Sequence, residues 1–152
     1  GNGFVPTLAT LSMLYDAVDD AAAHTPEEIR SAYFRQLRSA LSVANHEAVE
    51  SVDEATLEAI SAGDEPELRV EDAAAVLSVD PDRPDAKAIV AELRDHLLMS
   101  MTTCVVDVDT IAANIEFSLS GQEVQQALEG RTRMTLAQLA AIQQFLAKRK
   151  DN

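Results

Sequence analysis

From Thr25 onward the apolar residues recur three or four positions apart, with Ile29, Tyr33, Leu37 and Leu41 on one stripe. Sixty residues further on, Ile89, Leu93, Leu97 and Met101 repeat that stripe. Such spacing places side chains on one face of an α-helix. A second correspondence follows. Leu57, Ile60 and Gly63 match Val124, Ala127 and Gly130, and after one dropped residue Leu68, Val70, Ala73, Ala74 and Val76 match Met134, Leu136, Leu139, Ala140 and Ile142. Matched apolar positions on two dissimilar polar faces predict an internal duplication.

Helix starts are marked by side chains that accept the first unpaired backbone N–H groups. Thr25, Pro26 and Glu28 form a capping box with proline at the first turn, and Asp85 opens the corresponding helix of the second copy. Asp109 is the expected cap of TIAANI, Ser120 of GQEVQQALE with Gly130 as its stop, and Thr135 of LAQLAAIQQFLAKR. CVVDV, from Cys104, reads as a short strand without a partner. Residues 4–23, with Leu8, Leu11, Tyr15 and Val18 at helical spacing, predict an amphipathic N-terminal helix. Gly1–Gly3 reads as a non-native leader, with Met13 a candidate start. VDPDRPD at 79–85 concentrates residues that cannot continue a helix and divides the chain into 1–24, 25–82 and 83–152. The second copy is longer by about seven residues, inserted within TTCVVDVDTIAANIEFSLSG.

Composition agrees with an all-α fold: 47% of residues are hydrophobic, but only 4% are aromatic, and there are five glycines. The net charge is −14, and the cations comprise nine arginines and three lysines. Carboxylate excess of this kind suits a halophile's cytoplasm, where molar salt screens self-repulsion to about 3 Å. The charge is unevenly spread. Residues 1–24 carry three acids and no bases, 25–82 carry fourteen acids and four bases, and 83–152 carry nine acids and eight bases. Cys104, the single cysteine, allows no disulfide within the chain and is expected to pack as a small hydrophobe. No apolar run of roughly 18 residues is present, so no membrane span is expected.

The order helix, turn, helix ending at Gly130, polar turn, then LAQLAAI from Leu136 resembles the lambda-repressor-like (Cro/C1-type) helix-turn-helix domain. The resemblance covers about 85–147 and, more weakly, 25–79. It implies an all-α architecture of two tandem lambda-repressor-like helical units plus an N-terminal helix. It also implies double-stranded DNA as partner, read in the major groove by Ser120, Gln122, Gln125 and Gln126, with Arg131 and Arg133 on phosphates. In the first unit Asp53, Glu54 and Glu58 occupy the equivalent helix, which makes that copy a degenerate, non-reading one. ELRDHLL, DVDTIAANI and EVQQALEGRTRMTLAQLAAIQ are also similar to an uncharacterised haloarchaeal family. The expected function is that of a haloarchaeal DNA-binding transcriptional regulator. The alternative is an interaction or dimerisation module, docking a protein partner or a second copy through the N-terminal helix or the acidic first unit.

Catalytic signatures are not found. There is no nucleophile elbow, phosphate-binding glycine loop, HExxH or CxxC, and His24, His46 and His96 lack metal-ligand spacing. Asp107 and Asp109 read as a helix start rather than a cation site. Neither catalytic residue, metal nor cofactor is expected.

Overall fold

The computed structural model describes Leu14 and residues 20–117, 119–129 and 134–151, apart from the side chains of residues 48, 150 and 151. Most of the expected N-terminal helix lies outside the described residues, although Leu14 itself is buried in the core. The chain is all-α. The helices are α1 (Pro26–Ser42), α2 (Glu54–Ser61), α3 (Val70–Leu77), α4 (Ala86–Cys104), α5 (Val108–Asn114), α6 (Gly121–Leu128) and α7 (Leu136–Asp151). Short 3-10 turns occur at Ala21–Ala23 and His46–Ala48.

Local chemistry sets most of these boundaries. Thr25 accepts from the N–H of Glu28, while the Glu28 carboxylate accepts from the N–H of Thr25. The Thr25 N–H, with His24 beside it, draws the Glu28 carboxyl below its ordinary range. Asp85 caps α4 and Ser120 caps α6 as their positions imply. Thr135 and Gln138 exchange equivalent bonds at the start of α7. Two expectations are corrected. Asp107, not Asp109, caps α5, because Asp107 Oδ1 takes both the N–H and the hydroxyl of Thr110. CVVDV is not a strand: α4 runs through Cys104, and Val105 turns left-handed to end it.

The length difference between the copies has a local cause. Where the first copy makes only the turn at His46–Ala48 between α1 and α2, the second inserts the seven-residue α5 between α4 and α6. Most matched positions also agree in burial, although Met101 and Ala127 are half-buried where Leu41 and Ile60 are buried. Ile29 and Ile89, Leu37 and Leu97, Leu57 and Val124, Ala73 and Leu139, and Val76 and Ile142 are all buried.

The copies do not form separate cores. α7, from the second copy, packs on α1 and α3 of the first as well as on α4 and α5 of its own. The buried residues of both form one continuous cluster. Polar bonds cross the same seam. The buried Tyr33 hydroxyl bonds to the Gln143 side chain, and Gln144 Nε2 donates to the His24 carbonyl at 3.0 Å. Burial drives the Tyr33 phenol well above its usual pKa.

At the centre of the seam, Arg69 and Thr135 form an isolated antiparallel bridge. Val70 N–H donates to Met134 at 2.7 Å, and Leu136 N–H donates to Leu68 at 2.9 Å. Leu68 and Met134 are matched positions of the duplication, as are Val70 and Leu136. Exchanging the copies therefore exchanges the two bonds, and the bridge lies on a pseudo-two-fold axis. Each bond also satisfies an N–H that α3 or α7 leaves unpaired at its first turn.

Candidate interaction surface

α6 is amphipathic in a strict sense. Gly121, Val124 and Leu128 are buried, Gln122, Glu123, Gln125 and Glu129 are exposed, and Gln126 is half-buried. Ser120 and Glu123 form a capping box at its start. Gln125 Nε2 donates to Glu129 Oε2 at 3.0 Å, one turn along the helix. The structure therefore places Ser120, Gln122 and Gln125 together on an open face, with Gln126 half-buried. It interleaves them with two carboxylates. Arg131 and Arg133, and the stop at Gly130, lie outside the described residues.

Close approach of α5 fixes the position of α6. A Cβ at Gly121 would fall 1.8 Å from Asp109 Oδ1 and 3.2 Å from Asp109 Cα, so glycine is required where α6 begins. We expect Gly121→Ala to destabilise the protein by about 1–3 kcal/mol. Asp109→Ala in the same chain should recover part of that loss in a thermal melt, because the nearest clash is with a side-chain oxygen.

Beside α6 lies a groove of about 940 Å³ between the C-terminal half of α4, the start of α5 and the end of α6. Leu98, Met101, Val105, Val106 and Leu128 supply its apolar lining, and Arg94, Asp107, Gln125 and Glu129 its polar parts. Leu98, Met99 and Val105 are 47%, 68% and 86% exposed, and they are three of the four exposed large hydrophobics among the described residues. Leu98 and Val105 share this one groove, which distinguishes the surface, since isolated exposed apolar side chains are ordinary. Arg94 reaches across to the Glu129 carbonyl at 3.4 Å. The Asp107 carboxyl is held below its ordinary range, chiefly by the Thr110 N–H and then by its hydroxyl.

Val105 has φ 55 and ψ 52, a left-handed conformation that its branched side chain disfavours. This geometry closes α4, because Val105 N–H reaches Thr102 at 3.2 Å and Val106 N–H reaches Met101 at 3.0 Å. Glycine would make the same turn without steric cost. Val105→Gly is expected to stabilise the fold by about 1 kcal/mol, raising Tm by roughly 2–4 °C.

Three other features have simpler roles. His46 lies between Glu54 Oε2 at 3.0 Å and Ser61 Oγ at 3.4 Å, in the order carboxylate, imidazole, hydroxyl. Ser61 ends α2, however, and the following N–H groups of Ala62, Gly63 and Asp64 are spent on Glu58, Ile60 and Ala59. No backbone donor there is left to stabilise an oxyanion, and the trio ties the 46–48 turn to α2. A second hollow, of about 540 Å³, lies between the start of α1, the α5–α6 connection and α7. Its cations Arg30 and Lys148 are matched by Glu27 and Glu116. Cys104 is half-buried and directs its thiol to the Leu146 carbonyl at 3.4 Å.

Among the described residues no group of three or more His, Cys, Asp or Glu is arranged to hold a metal ion. None of the described helices is long and apolar enough to cross a membrane.

These features define an all-α protein whose two repeated segments share a core and whose second segment carries an apolar groove. The chain belongs to a family of unknown function, DUF5791, whose model matches residues 29–149. No curated protein and no solved structure matches it. The groove was invisible to helical periodicity, which scores Leu98 as an off-stripe residue without revealing that Val105 joins it in space.

Proposed function

We propose that the protein is an interaction module that docks a protein partner in the groove between α4, α5 and α6. The observation that carries this reading is the convergence of exposed Leu98 and Val105 on one apolar hollow. Burying those side chains against a partner would be worth about 25 cal/mol for each Å² removed from water. The carboxylate excess fits work in a salt-rich cytoplasm, where apolar contacts gain weight relative to screened charge.

DNA recognition is the second reading, favoured by the exposure of Ser120, Gln122 and Gln125 on one face of α6. Glu123 and Glu129 share that face, and Gln125 has committed a donor to Glu129. Phosphates would approach these carboxylates at an electrostatic cost that molar salt screens at long range but not in contact.

The test sets both ligands against the full chain in about 2 M potassium chloride, a salt range that screens long-range charge effects. One arm uses a random duplex pool and the other a displayed random-peptide library. Peptide enrichment that Leu98→Gln abolishes, with no duplex enrichment, is the expected result. A duplex sequence enriched by the protein and lost on Gln122→Ala would establish the DNA reading and overturn the first.

A further inference from the structure

We infer that the groove takes an amphipathic α-helix of another protein, with lysine or arginine flanking its apolar stripe; this rests on the interaction reading and specifies its ligand. Three features of the groove lead there. First, the apolar surface is graded in depth: Leu128 is buried, Met101 and Val106 are half-buried, and Leu98 and Val105 stand exposed at the margin. A narrow apolar stripe would fill the base and be gripped by the margin, as in helix-in-groove recognition.

Second, the groove is built from helices. The carbonyls of Met101 and Thr102, which α4 would otherwise leave open, already accept from Val106 and Val105. An extended peptide would find no row of backbone donors and acceptors with which to pair, and its own polar groups would lose water without compensation. A helix satisfies its backbone internally. It can bury one face without that cost.

Third, charge selects among helices. Asp107, held ionised by Thr110, and exposed Glu129 lie on the groove, with exposed Glu123 on the neighbouring face of α6. Arg94 is the opposing cation among the lining residues, which leaves the carboxylates in excess there. A symmetric contact with a second copy would bring the same excess of carboxylate over arginine to both sides of the interface. A helix with basic flanks meets the opposite sign.

The test uses three synthetic peptides of about 18 residues, long enough for five turns. One has leucines at helical spacing with lysine flanks, a twin has glutamate in place of lysine, and a third has two central prolines. Binding to the full chain is measured beside Leu98→Gln, which leaves the charge unchanged, and Val105→Gly, which relieves backbone strain and so should not fail by unfolding. The lysine peptide is expected to bind, and each variant to weaken it by about tenfold or more. The glutamate and proline twins should bind at least about tenfold more weakly than the lysine peptide.

If either twin binds as tightly as the lysine peptide, with a loss in Leu98→Gln, the basic-helix inference fails while the interaction reading stands. Self-association of the chain that Leu98→Gln abolishes would make the occupant a second copy and likewise overturn it. Lysine-peptide affinity unchanged in both variants would remove the groove, and with it both claims.

Discussion

Phe34→Ala should lower the unfolding free energy by about 3–5 kcal/mol, the range for deleting a fully buried aromatic ring. Phe34 is wholly inaccessible in the middle of α1, the helix that α7 covers and that also supports α2 and α3. Removing the ring withdraws apolar surface from the core and leaves a cavity that helices held from several sides cannot collapse to fill. Against a typical total of about 5–15 kcal/mol, such a loss approaches unfolding. Denaturant titration at fixed high salt measures it directly. A change below about 1 kcal/mol would mean that α1 does not bury this face.

A second large effect separates the two faces of α6. Val124 is fully buried on its inner face, whereas Gln122, two positions earlier, is exposed. Val124→Asp would place a carboxylate among aliphatic side chains at a cost of several kcal/mol even after its pKa rises. The variant is expected to be unfolded or molten by circular dichroism. Gln122→Ala should remain within about 0.5 kcal/mol of the parent, as surface changes do. Similar stability in both variants would mean that α6 is not seated as described.

The positions of these helices were legible because their signals are local. Thr25, Asp85, Ser120 and Thr135 accept backbone N–H groups from residues three positions on, so the cap and its partner are read from one short window. Asp107 and Asp109 show the limit of that logic, since either reads as a cap of the same helix and it is the first that receives both the N–H and the hydroxyl of Thr110. The α1 stripe was incomplete for a related reason. Ile29, Tyr33, Leu37 and Leu41 describe a helix with one partner, but α1 also buries Ala32, Phe34, Gln36 and Ala40 because it is covered on several sides.

Long-range relations were harder to anticipate. The duplication identified Leu68 with Met134 and Val70 with Leu136, yet equivalence in sequence does not imply contact. Only packing reveals that these equivalent backbones bond to one another. Val105 is still less predictable, because left-handed geometry at a branched residue opposes its intrinsic preference. The candidate surface follows from that turn. Gln122 and Gln125 were found because α6 is amphipathic, while the groove beside them depends on where α4 stops and α5 begins.

Native-state hydrogen exchange in α3 and α7 tests the central claim, that both copies stand on one core closed by the exchanged bonds at Val70 and Leu136. The slowest amides of α3, from the first copy, and of α7, from the second, should open with the same free energy, as one cooperative unit. Exchange that frees α3 while α7 stays protected, or the reverse, would show two separable cores and contradict the account.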